Sequence, residues 1–98
     1  MLDKMKQLMD MQRKMQEMKK ELENTDFDVE SSDGSIKITM NGSQEVKNVT
    51  VNSEAQNLNK INLEKAIKDV YNKAIKRSQI IAAEKMKKIT GMNIPGLF

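Results

Sequence analysis

The middle of the chain, residues 24–52, reads NTDFDVESSDGSIKITMNGSQEVKNVTVN, and most of its apolar side chains recur at every second position. This period of two is typical of strands that cover a core with one face and meet solvent with the other. The pattern predicts three antiparallel strands, near residues 26–32, 35–41 and 44–52. Asp33-Gly34 and Asn41-Gly42 lie between them and are typical of hairpin turns in which both central residues have positive φ.

Two helical segments flank the predicted sheet. Residues 3–23 contain neither Gly nor Pro and consist largely of good helix formers. Residues 62–90 carry a broad apolar stripe at helical spacing. Asn62 is the predicted N-cap of this second helix, and Gly91 is the predicted residue that ends it.

The predicted fold class is therefore α+β, in the order α-β-β-β-α, with a three-stranded antiparallel sheet flanked by two long helices. Residues 1–98 are enough for one domain with one modest core. Residues 53–61 are expected to form a polar connection. Residues 91–98, GMNIPGLF, form an apolar tail that either docks on a core or frays.

The first helix carries a stripe of large apolar side chains, and six of the nine methionines fall within the first 18 residues. Five members of the stripe are spaced alternately by three and four residues, namely Leu8, Met11, Met15, Met18 and Leu22. A 21-residue helix is about 32 Å long, so it should protrude beyond a compact domain of this size. An exposed apolar stripe predicts a second copy of the chain and a dimer seam along this helix. An open groove for another partner is the alternative interpretation.

Composition narrows the possible chemistry. The chain contains no Cys and no His, which excludes Cys/His zinc sites, thiol catalysis, disulfides and an imidazole base. No Gly-rich phosphate loop is present. We therefore expect no enzyme activity, no cofactor, no metal site and no small-molecule substrate. No apolar run approaches the length of a membrane span, and the N-terminus lacks the apolar region of a signal peptide.

The charge distribution suggests an anionic partner. Net charge is +3, yet residues 60–98 hold nine basic and three acidic residues. Lys6, Arg13 and Lys20 fall one heptad apart on the side of the first helix opposite the stripe. Aromatic residues are scarce, so duplex DNA held through its backbone is a better hypothesis than single-strand stacking. A simple solvated lysine face is the competing interpretation.

Three stretches resemble a known family over nearly the whole chain. These are LMDMQRKMQEMKKEL at residues 8–22, SIKITMNGSQEVKNVTVN at 35–52 and AAEKMKKITGMNIPGLF at 82–98. The chain resembles the YbaB/EbfC family of bacterial nucleoid-associated proteins. It differs from many relatives at 31–34, where SSDG replaces a more Gly-rich turn, and in its short connection after Asn52.

The resemblance implies a small cytoplasmic homodimer with projecting helical arms that binds DNA in the nucleoid and affects DNA conformation and gene expression. It implies no enzyme activity. The DNA contacts attributed to the family's two helices transfer to basic positions in matching segments: Lys6, Arg13, Lys14, Lys20, Lys68, Lys76 and Arg77. The alternative function is a protein-interaction adaptor that uses the Met-rich helix or the C-terminal tail without direct DNA binding.

Overall fold

The computed structural model describes residues 2–91 and confirms the predicted α+β class with its α-β-β-β-α order. The elements are α1 (Leu2–Glu23), β1 (Asp26–Glu30), β2 (Ile36–Asn41), β3 (Val46–Val51), α2 (Ser53–Gln56) and α3 (Lys60–Thr90). Helix α2 was not predicted: the expected polar connection contains one helical turn that buries Ala55. All but the first residue of the predicted tail lies outside the described residues.

The three strands form one antiparallel sheet in the order β1-β2-β3. Val29 pairs with Ile38, and Ile38 pairs with Val49 on its other side. Alternation places these apolar side chains on the face that packs against α3. The core there consists of Ile36, Ile38 and Met40 from β2 with Ala66, Val70 and Ala74 from α3.

The first turn differs from the prediction that both central residues have positive φ. Only Gly34 does, at 74°. The Asp33 carboxylate shapes the turn instead, because it accepts hydrogen bonds from the Ser31 hydroxyl (2.7 Å) and the Ser35 hydroxyl (2.7 Å). These bonds lower the pKa of Asp33 from its ordinary value of 3.8 to about 2.

The prediction for Asn41-Gly42 is also wrong, because Gln44 is the positive-φ residue of this loop, at 65°. Asn41 is the last residue of β2 and is fully buried. Its side-chain oxygen accepts hydrogen bonds from the Ser43 and Glu45 backbone N–H groups, at 3.0 and 2.9 Å. These bonds close a longer loop than the predicted two-residue turn.

Gly42 is needed for a different reason, namely the close approach of α1. Its N–H donates to the Leu22 carbonyl (2.9 Å) and the Thr25 carbonyl (3.0 Å). A Cβ atom at Gly42 would lie only 2.9 Å from the Leu22 Cδ2 atom. The glycine therefore allows the end of α1 to pack against the hairpin.

Helix α3 begins earlier than predicted, and Asn59 rather than Asn62 is its N-cap. The Asn59 side chain accepts a hydrogen bond from the Asn62 N–H at 2.8 Å, so Asn62 serves as the donor in the first turn. The predicted C-terminal signal is confirmed. Gly91 adopts a left-handed conformation (φ 72°), and its N–H donates to the Lys87 carbonyl.

The second half of α3 packs antiparallel to α1. Gln44 in the β2–β3 loop contacts Ser78 of α3, and further along the helix Lys85 forms an ion pair with Glu21 of α1 at 3.0 Å. The molecule is elongated, with extents of 65 × 22 × 17 Å. We call α1 together with residues 79–91 the arm, and residues 24–78 the body.

Candidate nucleic-acid interface

The whole net positive charge of the chain lies on the arm. The arm holds nine basic and six acidic residues, whereas the body holds eight of each. In the sequence, the basic residues of α1 and those at the end of α3 lie at opposite ends of the chain. The structure brings them together because α1 packs against the end of α3. A polyanion is therefore attracted to the arm more than to the body.

The predicted row on α1 is exposed to solvent. Lys6, Arg13 and Lys20 are exposed and lie on the side of the helix opposite Met18, which is 5% exposed. Arg13 pairs with Asp10 at 3.4 Å, but both side chains are largely exposed, so this pair competes only weakly with a phosphate. The row can reach an anion without moving the helix.

Lys14 differs from the other predicted α1 residues in its surroundings. It is exposed but lines a groove between α1 and α3, together with Met11 and Met15. A lysine stem can lie along such apolar surface while its ammonium group stays in water. Lys14 therefore faces a different direction from the row.

The predicted α3 residues Lys68, Lys76 and Arg77 are all exposed. Their neighbour Lys73 is held in a structural contact, because its ammonium group donates to the Ser32 hydroxyl at 2.9 Å and pairs with Asp69 at 3.2 Å. The Ser32 N–H donates to Asp69 at 2.7 Å, and this hydrogen bond is the largest cause of the lowered pKa of Asp69. Lys73 thus ties the first turn to α3.

The predicted basic residues are spread along the molecule and are not gathered into one compact patch. Helices α1 and α3 extend in opposite directions from the Glu21–Lys85 ion pair. At about 1.5 Å per residue, Lys6 and Lys68 are separated by roughly 48 Å along the molecule, whereas Lys20 and Arg77 are separated by roughly 14 Å. The two sets therefore form an extended series of candidate contacts.

Acidic side chains occupy the sheet face that points away from α3. Asp26, Asp28 and Glu30 alternate with the core-facing Phe27 and Val29 along β1. Asp28 accepts a hydrogen bond from the Thr39 hydroxyl at 2.5 Å, which keeps its carboxylate on this face. This face repels a polyanion and favours approach from the helices.

The sequence-based set omitted the three basic residues that the end of α3 contributes to the arm, namely Lys85, Lys87 and Lys88. Lys85 is partly engaged, since its hydrogen bond to Glu21 is the main cause of the lowered pKa of that carboxyl, with a further contribution from Lys88. Lys87 and Lys88 are exposed. Only the pairing of the helices places them beside α1, so no local pattern could have assigned them.

The five predicted seam residues have different surroundings. Leu8, Met11 and Met15 are exposed, at 66, 63 and 56%. Met18 is buried within its own protomer, and Leu22 is half-buried against Gly42. Part of the predicted stripe therefore packs inside one chain, and the pairing of two chains along it stays a prediction.

A second apolar surface was not foreseen from the sequence. Val46, Val49 and Val51 of β3 are about half exposed, although Val49 pairs with the buried Ile38. A helix is about 10–12 Å wide and strands lie about 4.8 Å apart, so a single helix covers two strands rather than three. Helix α3 contacts β1 and β2, which leaves the apolar face of β3 uncovered.

Two side chains of α3 extend this surface. Ile67 and Tyr71 are exposed by 50 and 52% and lie on the flank of the helix opposite Asp69 and Lys73. Because Lys73 reaches the end of β1, the opposite flank faces the side on which β3 lies. We call Val46, Val49, Val51, Ile67 and Tyr71 the β3–α3 surface.

Neither a metal-binding cluster nor a membrane-spanning helix occurs in the part of the chain that the structure describes. Residues 2–91 contain no group of three or more His, Cys, Asp or Glu side chains placed to hold a metal ion. Within the same residues, no helix is both long and apolar enough to cross a membrane.

Comparison with known proteins identifies the family. The model of the YbaB/EbfC DNA-binding family matches residues 1–93. A nucleoid-associated protein of Desulforamulus reducens is 38% identical over 96 residues, covering 96% of this chain and 91% of the relative. One from Pelotomaculum thermopropionicum is 31% identical with the same coverage, and one from Caldicellulosiruptor bescii is 33% identical over 66 residues, covering 66% of this chain and 58% of the relative. The chain belongs to the YbaB/EbfC DNA-binding family.

Proposed function

We propose that the chain binds duplex DNA as a homodimer, mainly through the phosphate backbone, and thereby affects DNA conformation, nucleoid organisation and gene expression. The observation that carries the proposal is the exposed basic row on an arm that holds the entire net positive charge. Family membership and the names of the relatives support a role at the nucleoid within the cytoplasm. The proposed role involves no catalytic step.

Backbone contact fits the side chains that the arm presents. Lysine and arginine on an exposed helix face can neutralise phosphates, and each such contact releases counterions. Helix α1 carries no aromatic side chain that could stack on a base. Contacts of this kind position a protein on DNA with little dependence on base sequence.

The homodimer is proposed to bury the β3–α3 surface. An uncovered apolar patch of this kind on a small protein is typical of an interface. A two-fold axis there would join two bodies and leave both arms available to DNA. A charge introduced at Val49 (Val49→Asp) should therefore give a folded chain that sediments at monomer mass. A variant that still sediments at dimer mass, or a natural chain that already sediments at monomer mass, would contradict this interface.

DNA binding is tested by fluorescence anisotropy on a labelled duplex over a salt series, with a second duplex of scrambled sequence. We expect log affinity to fall linearly with log salt, equally for both duplexes. No binding even at about 50 mM salt would contradict the proposal. The adaptor function would then become the leading hypothesis.

The α3 contacts are tested separately. Lys68→Glu with Lys76→Glu should weaken DNA binding while leaving sedimentation and far-UV circular dichroism unchanged. Lys37→Glu with Lys47→Glu is the matched control, since it reverses the same charge on β2 and β3. Unchanged affinity of the first variant at low salt would remove Lys68 and Lys76 from the interface.

A further inference from the structure

An apolar groove runs between α1 and the last turns of α3, and its volume is about 490 Å³. Three methionines line it, namely Met11, Met15 and Met86, and the other lining residues are Gln7, Asp10, Lys14 and Thr90. Met11 and Met15 are more than half exposed in the described residues. Methionine side chains are unbranched and adaptable, so they can pack around an inserted apolar segment.

Helix α3 ends beside this groove. Thr90 lines the groove, and Gly91 is the next residue. The left-handed conformation of Gly91 ends the helix at this point. Residues 92–98 therefore start next to the groove rather than across the molecule from it.

Residues 92–98 have the composition that the groove requires. They read MNIPGLF and contain no charged side chain, with four large apolar residues at Met92, Ile94, Leu97 and Phe98. Pro95 lacks the backbone N–H that the interior of a helix requires. Phe98 could make the sulfur–aromatic contacts that methionine favours.

We propose that residues 92–98 of the same chain fold back into the groove and cover Met11, Met15 and Met86. Seven residues span at most about 23 Å, whereas Met11 and Met15 are separated by only about 6 Å along α1. A short connection also gives the segment an effective concentration in the millimolar range at its own groove. A segment from a second copy has no such advantage.

This occupant changes the role of the α1 stripe. Met11 and Met15 become interior residues of the arm rather than contacts with another chain, and Met18 extends the same interior. The arm then behaves as a small three-part unit of α1, the end of α3 and the segment. Lys6, Arg13 and Lys20 lie on the far side of α1 and stay accessible.

Disulfide trapping tests the proposal, because the natural chain contains no cysteine. The test variant is Met11→Cys with Leu97→Cys, and the matched control is Met9→Cys with Leu97→Cys. Met9 and Met11 are similarly exposed, at 68 and 63%, and lie two residues apart on nearly opposite sides of α1. Dilute protein is oxidised mildly, and intrachain and interchain disulfides are separated by mass.

We expect the Met11 variant to form at least about ten times more intrachain disulfide than the control. Equal yields in the two variants would overturn the proposal. Predominantly interchain disulfide in the Met11 variant would also overturn it, since the occupant would then be a second copy.

A second measurement uses the full-length chain labelled at its methionine methyl groups. Leu97→Asp with Phe98→Asp should shift the NMR signals of Met11, Met15 and Met86 while leaving Met9 unchanged. Unshifted signals for all three groove methionines would contradict the proposal, whatever the variant's overall stability.

Discussion

Removal of the basic row on α1 should weaken DNA binding by an amount that the structure allows us to estimate. The variant replaces Lys6, Arg13 and Lys20 with Gln, which keeps helix propensity and removes three charges. Each phosphate contact contributes about 0.9 to the slope of log affinity against log salt, so the slope should fall by about 2.7 per chain and about 5 per dimer. At about 0.1 M salt, the same relation gives roughly a 500-fold loss for the contacts of one chain.

The assay is fluorescence anisotropy with a labelled duplex of about 30 base pairs, which is about 100 Å long and exceeds the 65 Å length of the protomer. Affinity is measured between about 50 and 200 mM salt. The matched control replaces Lys37, Lys47 and Lys60 with Gln, since these three body residues lie outside the predicted set. Its slope should stay within about 1 of the natural chain, because charges beyond about 10 Å are screened at 0.1 M salt.

Two results would refute this reasoning. An unchanged slope for the α1 variant would show that the row does not contact phosphate. Equal losses in the two variants would show that total charge, rather than the position of the row, governs binding. Sedimentation of both variants checks that the oligomeric state is the same in each measurement.

Three further predictions concern stability and are measured by urea or acid unfolding. Gly42→Ala should lower the free energy of unfolding by about 1–3 kcal/mol, because its Cβ would press on Leu22; an unaffected midpoint would mean that α1 moves freely. Met40→Ala should cost about 2–5 kcal/mol, since Met40 is 1% exposed, whereas the control Met9→Ala should change stability by no more than about 0.5 kcal/mol. Hydrogen bonds lower the pKa of Asp33 to about 2, so its ionised form stabilises the fold above its unfolded pKa of 3.8, and this contribution is lost as pH falls towards 2. Asp33→Asn should therefore flatten the acid dependence of stability in that range, and an identical acid profile would show that the turn hydrogen bonds do not stabilise the fold.

Local patterns predicted the elements well, because the period of the apolar residues reflects which backbone geometry buries them. The alternation of Ile36, Ile38 and Met40 identified a core strand, and the structure confirms their burial. Local patterns failed where a distant part of the chain decides the conformation. The Asn41 side chain donates a hydrogen bond to the Glu23 carbonyl at the end of α1, and Gly42 is required by the close approach of Leu22 rather than by its own φ.

The residues of the candidate interface likewise fall into those that local helix geometry predicts and those that only tertiary packing places there. Heptad spacing alone placed Lys6, Arg13 and Lys20 on one exposed side of α1, because that spacing depends only on helix geometry. It could not show that Lys87 and Lys88 join the same arm, since this follows from the antiparallel packing of two segments more than 60 residues apart.

The sequence by itself thus determined the order of the two long helices and the three strands, the apolar face of each of these elements and the composition that excludes Cys and His chemistry. Only the tertiary structure decided which apolar faces are covered. Met18 is buried while Val49 is exposed, although both belong to regular apolar patterns. The physical reason is that periodicity fixes the direction of a side chain, whereas coverage depends on the width and position of the neighbouring element, and α3 spans two strands of a three-stranded sheet.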